Sequence, residues 1–209
     1  MSKSYSNTLG HPIGYPLPEW SPRPQPPRTE MVGRYCRIEL LDPEKHGDQL
    51  YAADMLDADG ANWTYLFQDL PTERSEYQKY LETIAASTDP LFHTIVDAES
   101  GEAVGMAALR RIDPTNGVIE VGNIRYSPRL QRKPAATEAM YLFIKRVFDE
   151  LGYRRYEWKC DSLNAPSKSA AQRLGFVYEG EFRQAVIYKG RNRDTSWFAM
   201  IDREWPALK

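Results

Sequence analysis

The stretch Ser127-Pro128-Arg129-Leu130-Gln131-Arg132-Lys133-Pro134-Ala135-Ala136-Thr137 leads three cations into the start of a helical pattern. Free N–H groups in a first helical turn, together with the helix dipole, favour an anion. With the charges of Arg129, Arg132 and Lys133 added, the loop suits a ligand such as a pyrophosphate, and the small side chains of Ala135 and Ala136 let it approach the backbone. Pro134 withholds one N–H but pre-sets helical φ at the first helical position, which leaves Ala135, Ala136 and Thr137 as donors. A solvated basic turn is the plainer alternative.

Just upstream, the apolar positions of the segment from Val118 to Tyr126 change phase: Ile119 and Val121 are odd, Ile124 and Tyr126 even. Strand side chains alternate with period two, so keeping all four on one face requires an extra residue, most naturally at Gly122-Asn123. Such a β-bulge would bend the strand, splay it from its neighbour and free backbone groups for a ligand; a harmless gap at Gly122 is the alternative. Downstream, Asn164 has the type and position of an N-cap, and Ser167 falls in the first turn that follows.

The surrounding elements are mixed. Tyr35 to Leu41 reads as a strand, and Asp42-Pro43 opens a helix to about Asp54. A second helix from Thr72 to about Ala86 places Tyr77, Tyr80, Leu81 and Ile84 on one stripe. Strands at 91–96, 103–112 and 118–126, joined by short turns, form a meander. A helix after Pro134 ends near Gly152, a strand covers Tyr156 to Cys160, and a short helix after Asn164 stops at Leu174-Gly175-Phe176. Strands from Phe176 to Lys189 and from Thr195 to Ile201 follow, with Gly190 to Asp194 as their turn. The order predicts an α/β fold: a mixed, mostly antiparallel central sheet with a splayed, bulged fourth strand and helices on both faces.

Seven prolines between His11 and Arg28 prevent regular structure there, so residues 1–32 read as an arm and 33–209 as one domain. Ile13, Tyr15, Leu17 and Trp20 make the arm too apolar for a free linker; it packs on its own domain or covers a partner subunit in a homodimer. A formal charge of −2, from 27 basic and 29 acidic residues, offers no cationic surface for nucleic acid. There is no leader-like or membrane-spanning apolar run, and Cys36 and Cys160 show no metal-ligand spacing, so the expectation is a reduced, cytoplasmic chain without a metal. His11, His46 and His93 have no triad partners nearby in sequence. No G-x-G-x-x-G follows the first strand, which argues against a dinucleotide fold.

Pro128 to Glu138 resembles the coenzyme-A loop of the GNAT superfamily of N-acetyltransferases, Q/R-x-x-G-x-G/A, through Gln131, Lys133, Ala136 and Thr137-Glu138-Ala139; Pro134 stands where the first glycine usually lies. Asn164-x-x-Ser167 followed by Leu174-Gly175-Phe176 is similar to the second motif of the branch that includes ribosomal-protein alanine acetyltransferases. The resemblance runs from about Arg34 to Met200 and implies a GNAT fold with acetyl-CoA as co-substrate. It implies an amine acceptor: a protein N-terminus, a lysine or a small-molecule amine. By it, the backbone of Ile124, Arg125 and Tyr126 would pair with the pantetheine arm, Gln131 to Thr137 (with Arg132, Lys133, Ala135 and Ala136) would hold the pyrophosphate, and Asn164 would bond the arm from the other side. Ser167 would protonate the departing thiolate. Glu120, just before the bulge, is the preferred base for the amine, with Asp161 as its rival. Each has a bland alternative: a surface carboxylate for Glu120, a plain cap for Asn164, a solvated serine for Ser167. Trp63, Tyr65, Phe67 and the 191–194 turn are substrate-facing candidates. A non-catalytic acyl-CoA-binding or regulatory module is the alternative function.

Overall fold

The computed structural model describes residues 5–209. A small hairpin of β1 (Tyr5–Ser6) and β2 (Pro12–Ile13) precedes an eight-stranded sheet. The sheet comprises β3 (Met31–Val32), β4 (Cys36–Leu40), β5 (Leu91–Asp97), β6 (Ala103–Asp113), β7 (Val118–Tyr126), β8 (Arg155–Asp161), β9 (Val177–Tyr188) and β10 (Arg191–Ile201). Its spatial order is β3-β4-β5-β6-β7-β8-β10-β9, and every neighbouring pair is antiparallel except β7 with β8.

Helices cover both faces. On one lie α1 (Pro43–Asp54) and α2 (Arg74–Ala85), whose Leu50, Tyr77 and Leu81 pack with Phe92, Met106 and Ala108. Asp42 caps α1 by accepting from the Glu44 and Lys45 N–H groups at 3.0 and 3.2 Å. Across the sheet, α3 (Pro134–Lys145) runs on into a π-helical turn at Arg146–Glu150, and Ala139, Met140, Phe143 and Val147 pack on Ile38, Ile95, Leu109 and Ile119. The same core takes in Ala171 of α4 (Ala165–Arg173) and Trp205 of α5 (Trp205–Leu208).

The phase change in β7 is a bulge. Met106 pairs with Arg125 and Ala108 with Gly122, so β7 carries one residue more than β6 between the two pairs. Asn123 absorbs it at φ +50°, in the left-handed region that asparagine tolerates better than most residues. Ile119, Val121, Ile124 and Tyr126 consequently all meet the α3 core, while Arg125 projects to the other face. Beyond the bulge β7 leaves its neighbour: it pairs with β8 only from Val118↔Arg155 to Val121↔Trp158, whereas β8 continues along β10 to Asp161. The sheet therefore opens between two parallel strands.

One predicted turn is corrected. Residues 191–194 belong to β10, and the hairpin closes at Lys189 and Gly190, φ +48° and +68°. Positive φ at both central positions defines the tight turn that matches strand twist; the run Arg191 to Asp194 resembles a loop because it is wholly polar, although Arg193 within it is buried.

The prolyl segment docks in cis. Trp20 Nε1–H donates to the Thr115 carbonyl at 2.8 Å and Tyr153 O–H to the Pro24 carbonyl at 3.1 Å. Trp20 lies over Gly117, where a Cβ would come within 2.3 Å of the indole. Ile13, Tyr15 and Leu17 stay exposed.

Candidate active site

Two cavities meet in the opening between β7 and β8. The larger, about 780 Å³, is a groove bounded on one side by Ile124, Arg125 and Tyr126 and on the other by Asn164, Pro166, Ser167 and Ala170, with Arg132, Lys133, Pro134, Ala136 and Thr137 at its end. It thus gathers all the residues singled out for a pyrophosphate and pantetheine except Arg129 and Ala135, the latter's side chain being in the core. The α3 N-terminus has no side-chain cap, so its first-turn donors are available to a ligand, although the Ala136 N–H already reaches the Lys133 carbonyl at 3.1 Å.

Three details depart from the sequence reading of this loop. Arg129 is ion-paired to Glu102 and does not line the groove; the third cation is Arg173, at the end of α4, whose Nη1 donates to Thr137 Oγ1 at 3.1 Å. Gln131 turns its amide inward, donating to the Tyr126 carbonyl at 3.0 Å and to Asn62 Oδ1 at 2.7 Å. It therefore occupies one of the strand groups assigned to a ligand. The Arg125 side chain lies outside the groove's polar lining, with Nη2 at 3.0 Å from Asp54 and 2.8 Å from Tyr77 Oη.

The second cavity lies deeper in the same opening and contains Glu120, Lys159, Asp161, Tyr65, Phe67 and Arg193. Glu120, 3% exposed, is surrounded by cations: Lys159 Nζ at 2.9 Å, Arg111 Nε at 3.3 Å and Arg110 Nε at 3.7 Å. This is no surface carboxylate. Its rival Asp161 has both oxygens engaged, accepting from Leu163 N–H and Tyr188 O–H at 2.8 Å each. Burial and that bond push the Tyr188 hydroxyl up to about 12.

Trp158, Asn164, Ser167, Ile124, Tyr65 and Asn62 border both cavities. Asn164 caps α4, its Oδ1 accepting from Ser167 N–H at 3.1 Å; the Nδ2 group is not consumed by that bond, so capping and ligand contact are compatible. Trp158 Nε1–H donates to Ser167 Oγ at 3.0 Å. The hydroxyl, serving as acceptor there, keeps its own proton for another partner. Trp63 is 2% exposed and packs in the α1–α2 core instead of facing the cleft, while Tyr65 and Phe67 do line it.

The histidines play no part here. His46 bonds Glu39 at 3.1 Å, and His93, 1% exposed, holds the Leu91 carbonyl at 3.0 Å. Burial pulls His93 down to about 4.

A mostly antiparallel sheet prised open between one parallel pair, with a helix N-terminus aimed at the gap, defines an acyl-group-transfer scaffold. The family model described as "Acetyltransferase (GNAT) domain" matches residues 37–177. The chain belongs to the GNAT acetyltransferase family. A GCN5-related N-acetyltransferase from Brucella melitensis is 52% identical with a TM-score of 0.91, the match covering 92% of this chain and 87% of that one. A probable GNAT-family acetyltransferase from Chromobacterium violaceum ATCC 12472 is 36% identical, TM-score 0.86, covering 94% and 98%. A Bacillus subtilis (strain 168) protein named as a candidate ribosomal N-acetyltransferase, YdaF, is 24% identical over 186 residues, 87% of this chain and 99% of its own.

Proposed function

We propose that this acetyltransferase moves the acetyl group of acetyl-CoA to a primary amine by direct attack. The observation that carries the reading is the junction of the two cavities at Ile124, Asn164 and Ser167, one holding an anion-binding helix terminus and the other a buried carboxylate. The α3 first turn with Arg132, Lys133 and Arg173 receives the pyrophosphate. The free edge of β7 at Ile124 to Tyr126 and the Asn164 amide receive the pantetheine amides once Gln131 releases the Tyr126 carbonyl. Acetyl-CoA supplies the thioester; as the C–N bond forms and the C–S bond breaks, Glu120 takes the proton lost from nitrogen and releases it to solvent, while the Ser167 hydroxyl gives a proton to the departing sulfur and recovers one from solvent. The acceptor is a protein N-terminus, a lysine or a small-molecule amine, in the cytoplasm.

Calorimetry with acetyl-CoA and a thiol assay for CoA released with a panel of amines test this. Micromolar-range binding with amine-dependent release supports it. Binding without release from any amine would identify a non-catalytic acyl-CoA-binding module, and absence of binding would end the reading.

A further inference from the structure

Arg193 of β10 is 8% exposed and lines the deeper cavity. The other cations there have acidic neighbours: Lys159 has Glu120 and Glu157, while Arg110 and Arg111 flank Glu120. Arg193 forms no ion pair and no side-chain hydrogen bond among the described residues, and its Nε is buried without a partner. Its guanidinium lies beside an aromatic pair, 5.2 Å from the Phe67 centroid and 5.7 Å from that of Tyr188, the two rings being 5.8 Å apart. These contacts satisfy none of its N–H groups. Two residues along the same strand, Thr195 Oγ1 is another buried, unpartnered group in the same lining, on a residue 6% exposed. Asp161 is bonded to neither, its oxygens accepting from Leu163 and Tyr188.

A buried guanidinium without a carboxylate is costly in the free protein, and a planar fork of donors is the natural complement of a carboxylate. The cavity as a whole holds four basic side chains, Arg110, Arg111, Lys159 and Arg193, against two acidic ones, Glu120 and Asp161. That balance repels a polyamine and attracts an acceptor with negative charge of its own. We propose that Arg193, assisted by Thr195, receives a carboxylate on the acceptor, so that the substrate class is a primary amine carrying a carboxylate, with its nitrogen toward Glu120. The inference rests on the acetyl-transfer reading above and narrows its acceptor.

The test is a matched-pair assay of CoA release: free L-amino acids against their carboxamides, and short peptides with Glu against Gln at the second position, rates being normalised to the neutral amine. The wild-type enzyme should favour the carboxylate member of one series by about 10- to 100-fold in kcat/KM, and the series that responds tells a free amino acid from an acidic peptide. Arg193→Gln should bring that preference to near parity while leaving acetyl-CoA affinity within about threefold; Arg193→Lys should retain part of it, and Thr195→Val should reduce it modestly. Equal rates for both members in the wild type, or an Arg193→Lys enzyme that loses both members equally, would overturn the proposal. So would preference for the uncharged members. Failure of acetyl-CoA to bind would instead overturn the acetyl-transfer reading on which it stands. The wild-type comparison decides the matter even if Arg193→Gln does not fold.

Discussion

Trp158 on β8 and Ser167 in the first turn of α4 are joined on one side of the opening in the sheet, the indole N–H donating to Ser167 Oγ at 3.0 Å. The bond ties α4 back to the strand it follows, where the two cavities share residues. The bond fixes the serine rotamer with its hydrogen directed away from the indole. Ser167→Ala should lower kcat about 10-fold or more, toward the lower end for a positioned proton donor, with little change in acetyl-CoA affinity. Trp158→Phe, which keeps the ring and removes the donor, should cost less. Rapid-quench or steady-state kinetics beside calorimetry separates the two effects; equal losses in binding and turnover would mark Ser167 as structural.

The loop's cations divide by partner. Arg129 is committed to Glu102, whereas Arg132, Lys133 and Arg173 line the groove. Replacing Arg173 by Gln should weaken acetyl-CoA about 3- to 30-fold, as expected for one charge-assisted contact. The loss should shrink at high salt because the groove mouth is open to counterions. Arg129→Gln should leave affinity unchanged. Titrations at two ionic strengths check both.

How far these features were legible depends on the distance over which they are specified. The β7 bulge shows in the sequence because period two is a local rule that Ile119, Val121, Ile124 and Tyr126 break together. The helix terminus after Lys133 is likewise written in adjacent residues. Arg173 and Lys159 escaped notice because their roles come from packing: α4 against α3 and β8 against β7. Arg129 misled for the same reason, since its partner Glu102 lies 27 positions away. Arg193 is visible in the sequence only as one member of the substrate-facing 191–194 segment, read there as a turn; its place in the cleft comes from β10 being a strand. Local sequence does not single out Arg193 within that segment, where it alone of the four residues is buried.

Arg125 shows another cost of the bulge. By changing phase the strand sends this guanidinium, 3% exposed, into the α1–α2 layer, where it meets Asp54 and Tyr77 and stacks 4.5 Å from the Trp63 ring. Removing one member leaves a buried charge uncompensated, so Arg125→Met should destabilise by about 3–5 kcal/mol in urea unfolding. Adding Asp54→Asn should recover a substantial part. If the single and double variants are equally unstable, packing against Trp63 and not the ion pair is what holds this layer.

Acid stability should carry the signature of His93. Its imidazole is buried against Phe143, ring centroids 5.2 Å apart, and burial lowers it to about 4, whereas in the unfolded chain it titrates near 6.5. Between these values the unfolded chain binds a proton that the folded one refuses, so stability falls as pH drops from about 6.5 to about 4 and this contribution then levels off. The span corresponds to about 3 kcal/mol. Unfolding free energies across this window should fall less steeply for His93→Gln than for the wild type; parallel curves would assign the acid sensitivity to the carboxylates.

Glu120 decides how the amine is prepared. An α-amino group near 7.8 is already about a third neutral at pH 7.4, whereas a lysine near 10.4 is neutral only about once in a thousand, so base assistance matters far more for the second. Glu120→Gln keeps the shape and should lower kcat/KM by about 10²- to 10⁴-fold with a high-pKa acceptor, the deficit narrowing as pH rises. The variant also deprives Lys159 of one of its two carboxylates, though Glu157 remains at 2.7 Å, which should preserve the local packing. Acetyl-CoA affinity should stay within about threefold, because the groove that holds it does not include Glu120. A loss that is independent of pH would show that Glu120 acts by fixing Lys159 and Arg111 in the cleft. Full turnover of a lysine-like acceptor at pH 7 would pass proton removal to Asp161, which lines the same cavity, or to solvent.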